Sequence, residues 1–323
     1  MTQRFRPAIV LTGAALAAAV ALAGCGHGPV PLGSASPSPA PAGTTSYSFD
    51  HDGLKRTYNL HVPATLDRSK PVPLVIELHG GGGDGNHIDG LTGFYALADR
   101  EGFVVAAPSG VDKGWNDGRV DPKTSSTADD VGFLSEMIDR IEAQVPIDPR
   151  RVYVTGISNG AIMSGRLACQ LSERIAAIAQ VAGTAAVETA AACHPARPVP
   201  VLEIHGTADP LVPYAGGTVV PQLGDGRGQV VGVDAWSAFW AANNSAGTPP
   251  ATTSIGTDTT VRTWHGATPQ SDVVFYRVEG AGHTWPGGSQ YLPKLIIGST
   301  SKSFDASEVI WQFLSGHRLA IAD

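Results

Sequence analysis

Charge is scarce in this 323-residue chain: Asp, Glu, Lys and Arg together make up 16% of it, well under the quarter usual for soluble domains. The formal net charge is −7, and no cluster of Lys or Arg stands anywhere along the folded part, which excludes an electrostatic footprint for nucleic acid. No internal repeat is visible from Thr45 onward, which argues against a solenoid or an array. The run Asp84-Gly-Asn-His-Ile-Asp89 lacks the spacing of a calcium loop, so neither a metal nor a cofactor is expected. Cysteine is also sparse, at three residues. What the chain has in quantity is glycine and proline, 39 and 24 residues, together with 42% hydrophobic residues. That composition fits one loop-rich globular domain with a large core.

The first residues are of a different kind. Arg4 and Arg6 precede an apolar run from Ala8 to Gly24, and the run closes on Leu22-Ala23-Gly24-Cys25. A positive start, an apolar stretch and small residues before a cysteine read as an export signal over 1–24. The ending resembles the bacterial lipobox, in which Cys25 becomes the lipidated N-terminus. Two or more acyl chains anchor a protein stably, so the expectation is a lipoprotein on the outer face of a membrane. A cleaved signal with an incidental cysteine, or a short spanning helix, is the alternative. Residues 26–45 carry no charge and are rich in Pro, Ser, Gly and Ala, which reads as a tether over 25–45, with the catalytic domain over 46–323. With Cys25 assigned to lipid, Cys169 and Cys193 remain as a pair in an oxidising compartment, so a disulfide is expected, with two buried thiols as the alternative.

From Thr45 the order of elements is an alternation of strands and helices. "VPLVIELHG" (72–80), "FVVAAP", "RVYVTG", "IAAIAQVAG" and "VPVLEIHG" are apolar runs of the sort buried on both faces of a sheet. Helical patterns separate them, among them "GLTGFYALADREG", "ADDVGFLSEMIDRIEAQ" capped by Thr127, and "VDAWSAFWAANN". The alternation predicts a mostly parallel sheet with helices on both faces, in which reactive groups gather at the carboxyl ends of the strands.

One serine stands at such an end. In "YVTGISNGA" (153–161), Ser158 lies between Gly156 and Gly160, after a strand and before a helix. A Gly-x-Ser-x-Gly pattern is weak evidence in a glycine-rich chain, but a tight strand-to-helix turn gives it a reason: side chains at 156 and 160 would collide with backbone. The turn would hold the Ser158 hydroxyl above the sheet and aim the Asn159 N–H at the same spot, beside a helix N-terminus that favours anions.

A serine hydroxyl needs a base, and the base needs an orienting acid. In the α/β-hydrolase order of nucleophile, acid and histidine, only His194, His205, His265, His283 and His317 qualify as the base. His283 lies in the glycine-rich loop "EGAGHTWPGG" after the strand "DVVFYRV" and is the best placed. Asp209 follows the strand "VLEIHG" and supplies the acid, whereas Glu203 sits inside that strand. A second oxyanion donor should come from "ELHGGGGDG", with Gly81 assigned and Gly82 next. Trp115 and Trp285 stand in loops as candidates for the wall of an acyl pocket, with loop packing as the alternative.

The stretches "ELHGGGGDG", "ADDVGFLSEMID", "VTGISNGAIMSGRLAC", "IHGTADPLVPYAGG" and "GAGHTWPGG", in this order over 72–288, together resemble the secreted poly(3-hydroxybutyrate) depolymerase and feruloyl or acetyl-xylan esterase family of α/β-hydrolases, in its lipoprotein branch. The resemblance implies a serine carboxylesterase with Ser158, Asp209 and His283 as its triad. Many polymer depolymerases of this kind carry a separate substrate-binding domain, whereas this chain ends soon after its last helix. Soluble feruloyl, acetyl or hydroxyalkanoate esters are therefore expected before insoluble polymer. A serine peptidase of the same fold and a catalytically dead binding lipoprotein are the other readings. Whether 214–232 forms a flap is left open by the sequence.

Overall fold

The computed structural model describes residues 38–120, 126–220 and 226–320. The export signal, Cys25 and most of the expected tether lie outside the described residues.

In chain order the elements are β1 (Gly43–His51), β2 (Leu54–Val62), β3 (Val72–Leu78), α1 (Asp89–Thr92), α2 (Phe94–Glu101), β4 (Val104–Ser109), α3 (Asp130–Glu142), β5 (Ile147–Ile157), α4 (Asn159–Gln170), β6 (Ala177–Val181), α5 (Val187–Ala191), β7 (Val201–Gly206), β8 (Gly217–Thr218), β9 (Gln229–Val230), α6 (Val233–Asn243), β10 (Ala251–Ile255), β11 (Thr259–Trp264), β12 (Val273–Val278), α7 (Lys294–Ile297) and α8 (Ala306–Ser315). Among the described residues the main sheet runs β1-β2-β4-β3-β5-β6-β7-β12-β11-β10. From β4 to β12 every pairing is parallel, while β1, β2, β10 and β11 join antiparallel at the two edges. The central strands read as unbroken apolar runs because both faces are covered. One apolar cluster packs α3, α4 and α6 on one side, and a second packs α2 and α8 on the other. The jump from β4 back to β3 and on to β5 is the topological switch at which such sheets open a crevice beyond their strand ends.

Four details differ from expectation. The strand β1 begins at Gly43, and the Ala40 side chain is buried with its N–H donated to the Gln144 carbonyl at 3.2 Å. The fold therefore starts inside the stretch read as tether, because antiparallel pairing of β1 with β2 over nine residues outweighs a Pro- and Ser-rich composition. The polar strand β10 carries no apolar period and pairs at the edge. The segment 89–101 is broken at Gly93, whose φ of 71° ends α1. Asp129, not Thr127, caps α3, its carboxylate accepting from the Gly132 N–H at 2.9 Å. No helix among the described residues is long and apolar enough to cross a membrane.

Candidate active site

Ser158 joins β5 to α4 with φ 59° and ψ −122°, a conformation that costs an L-residue about 1–3 kcal/mol. Close approach of backbone explains its glycine neighbours. A Cβ on Gly160 would lie 2.3 Å from the Leu78 carbonyl oxygen, and one on Gly156 would lie 2.7 Å from the same atom. The turn is thus clamped against the end of β3, and Ser158 is held in place by its N–H bond to the Val181 carbonyl at 2.9 Å.

The loop after β3 lies against this turn, since a Cβ on Gly80 would stand 3.4 Å from the Ser158 Cβ. The Gly80 carbonyl accepts two bonds, from His79 Nδ1 at 2.8 Å and from the Gly83 N–H at 3.0 Å. A trans peptide points its N–H opposite to its C=O, so fixing that carbonyl fixes the direction of the Gly81 N–H. The Gly82 N–H is already engaged, given to the Lys113 carbonyl at 2.7 Å. His79 takes the Gly110 N–H on Nε2 at 3.0 Å, which makes it the neutral Nδ1–H tautomer, and burial holds its pKa below the ordinary histidine value. Its part in shaping this loop was not visible in the sequence, where it reads only as the residue before the glycines.

The Asn159 side chain braces the turn from the other side. Its Oδ1 accepts the Trp115 N–H at 2.7 Å, and its Nδ2 donates to the Trp115 carbonyl at 3.1 Å and to Asp117 Oδ2 at 2.6 Å. Its backbone N–H opens α4 and so has no partner within the helix. Asp117 is buried and carries a fork from Arg119, with Nε to Oδ2 at 2.9 Å and Nη2 to Oδ2 at 2.7 Å.

Beyond β7, Asp209 turns its carboxylate inward. Its Oδ1 accepts the N–H groups of Leu211 and Val212 at 2.8 and 2.9 Å, and its Oδ2 accepts His283 Nδ1–H at 2.8 Å. Burial alone would raise its pKa, but the facing His283 and these donors outweigh it and hold the carboxyl below the usual range. His283 comes from the loop after β12, where Tyr291 donates its hydroxyl to the His283 carbonyl at 2.9 Å.

Ser158, Asn159, Gly80, Gly81 and His283 line one cavity of about 740 Å³, within the usual size of a small-molecule site. Its apolar wall includes Ile88, Leu91, Leu211 and Val219. Val219 and Val220 follow β8, so the 214–232 segment contributes to the wall through the β8–β9 ribbon. Trp115 and Trp285 do not line it. Trp115 is buried beneath the glycine loop with its Nε1–H on the His79 carbonyl at 2.9 Å, and Trp285 packs edge-on against Phe94 with its Nε1–H on Ser307 at 3.0 Å. Both are loop-packing aromatics, because each has an indole N–H satisfied inside the protein. Cys169 and Cys193 form a disulfide that ties the end of α4 to the segment after α5.

The sheet order and the clamped strand-to-helix turn define an α/β-hydrolase. Residues 66–223, which contain Ser158 and Asp209, match the model of the phospholipase/carboxylesterase family. NocK of Nocardia uniformis subsp. tsuyamanensis, a protein named as an esterase, is 31% identical over 282 residues, covering 82% of this chain and 80% of its own. Feruloyl esterase B of Piromyces equi is 34% identical over 161 residues, 48% of this chain and 29% of that one, so the chain spans only part of such longer fungal relatives. Among solved structures, the acetyl xylan esterase of Aspergillus awamori superposes with a TM-score of 0.55 at 17% identity, over 74% of this chain and 94% of its own. That likeness shows the fold. The chain belongs to the phospholipase/carboxylesterase family and is an ester hydrolase of the α/β-hydrolase class.

Proposed function

We propose that the protein is a serine carboxylesterase with Ser158 as nucleophile, His283 as base and Asp209 as the acid that orients it. The observation that carries this reading is the buried Asp209–His283 bond at 2.8 Å, next to a cavity that His283 shares with the strained Ser158. Donation of His283 Nδ1–H to Asp209 leaves Nε2 unprotonated and able to take a proton. In the first half-reaction His283 Nε2 takes the Ser158 proton as Oγ attacks the ester carbonyl carbon. The oxyanion rests on the N–H groups of Asn159 and Gly81. As the C–O bond breaks, the alcohol leaves with the proton from His283. Water then adds to the acyl-enzyme, again giving its proton to His283, and the carboxylic acid is released with Ser158 restored.

Acetyl, feruloyl and short hydroxyalkanoate esters fit the cavity's volume and its mixture of apolar wall and polar floor, and relatives named as feruloyl and acetylxylan esterases support that range. Export and a lipid anchor at Cys25 complete the reading and rest on the sequence alone. Steady-state rates on p-nitrophenyl acetate, methyl ferulate, hydroxybutyrate oligomers and a matched amide test the proposal. Ester turnover that is lost in Ser158→Ala, with no amide turnover, is expected; ester turnover retained by Ser158→Ala would overturn it.

A further inference from the structure

The strand β7 places two ionisable residues on one face, since Glu203 and His205 are two positions apart and side chains alternate. Both are fully buried, directly behind the loop that carries Asp209. His205 Nε2 lies 3.0 Å from the Val212 carbonyl oxygen. A carbonyl only accepts, so Nε2 carries a hydrogen. The same nitrogen stands 3.5 Å from Asp209 Oδ2, the oxygen that accepts the His283 bond. His205 Nδ1 faces Glu203 Oε1 at 3.4 Å, while Glu203 Oε2 has no hydrogen-bond partner among the described residues. Burial pushes Glu203 up to about 7 against the opposing pull of His205. Between two buried acceptor atoms a proton belongs on one of them: either Glu203 is a neutral acid donating to Nδ1, or His205 is an imidazolium. In both states Nε2–H points at Val212 and Asp209.

We propose that His205, oriented by Glu203, is a positioning residue for the acid of the triad. This inference rests on the triad reading above. Its Nε2–H does two things. By holding the Val212 carbonyl it fixes the 209–212 turn whose N–H groups grip Asp209 Oδ1. By standing beside Oδ2 it draws electron density from the oxygen that steadies the His283 imidazolium. Other groups facing His205 are the Tyr214 ring, at 6.2 Å between centroids, and Arg277, whose guanidinium lies over that ring at 5.5 Å. Tyr214 in turn donates its hydroxyl to Asp234 at 2.8 Å.

His205→Phe removes the donor with a ring of similar size. Asp209 then becomes a better acceptor, the His283 imidazolium is favoured, and the acid limb of the kcat profile moves to higher pH. Glu203→Leu leaves Nδ1 unpartnered and should act the same way. Glu203→Gln retains a donor for Nδ1 and should stay near the parent. Rates are measured on p-nitrophenyl acetate per active site titrated with a fluorophosphonate, so misfolded protein is not counted. The expected result is a kcat lowered about 10- to 100-fold in His205→Phe and Glu203→Leu, with KM within about twofold, the acid limb raised, and Glu203→Gln largely restored. Parent kcat and an unmoved limb in both His205→Phe and Glu203→Leu would overturn the proposal. Asp209→Asn is run alongside: if it keeps full kcat, the triad reading has failed, which is a separate outcome.

Discussion

His283 and Asp209, 74 positions apart in sequence, meet through an Nδ1–H···Oδ2 bond of 2.8 Å with the carboxylate side chain wholly removed from solvent. Such a bond fixes the tautomer of the histidine, and its loss would leave the wrong nitrogen protonated. Asp209→Asn should therefore lower kcat by about 10³- to 10⁴-fold with little change in KM. Stopped-flow acylation rates on p-nitrophenyl acetate check this, and a loss under tenfold would count against Asp209 as the orienting acid.

The strain at Ser158 predicts a difference between two inactive variants. Ser158→Ala keeps a Cβ at φ 59°, whereas Ser158→Gly removes the penalty. Urea denaturation should find the glycine variant more stable than the alanine one by about 1 kcal/mol, although glycine is elsewhere the less stable choice. The reverse order would mean that the turn is relaxed.

Gly160→Ala should fail on both counts. Its new methyl would meet the Leu78 and His79 carbonyl oxygens at 2.3 and 2.6 Å, and neither backbone can retreat without opening β3. A loss of at least about 2 kcal/mol in stability, together with loss of turnover, is expected from denaturation curves and activity on the same sample.

Glu77 gives a pH signature away from the chemistry. It is fully buried in β3, and burial raises its pKa to about 8 although Thr92 donates a hydrogen bond to it. A free glutamate titrates near 4.5, so the native state holds a proton that the unfolded chain releases between those values. Stability should fall as pH rises from 4.5 towards 8. In Glu77→Gln that part of the slope should vanish, a difference of at least about 1 kcal/mol between pH 5 and 8. Parallel urea midpoints for both proteins would contradict it.

Much of this architecture was legible in the sequence because it depends on short-range signals. Unbroken apolar runs marked β3, β5 and β7, and the glycines at 156 and 160 marked the turn at Ser158. That Asp209 and His283 would face one another was legible from their places after strands. The rest depended on partners far along the chain. The strand β1 is specified by pairing with β2 and not by its own composition. Trp115 and Trp285 are buried by contacts to His79 and Ser307 that no local pattern announces. Likewise, His205 is one of five histidines after Ser158, and no local pattern places it beside Asp209, which folds back to meet it. One local signal does bear on it: a glutamate inside the apolar run "VLEIHG" is costly to bury alone and calls for a neighbour.

The disulfide should matter for stability more than for chemistry. It closes a loop of 24 positions, so Cys169→Ser with Cys193→Ser should cost about 3 kcal/mol by chain entropy while kcat at 25 °C stays within about threefold. Thermal denaturation and rates on the double variant test this, and an unchanged midpoint would show that the crosslink does not constrain the unfolded chain.

The most direct measurement is covalent labelling of the folded protein with a fluorophosphonate, followed by mass spectrometric mapping of the adduct. The account predicts a single adduct on Ser158, formed rapidly in the parent and slowed by several orders of magnitude in His283→Ala. An adduct on another residue, or none in a sample shown to be folded, would contradict it.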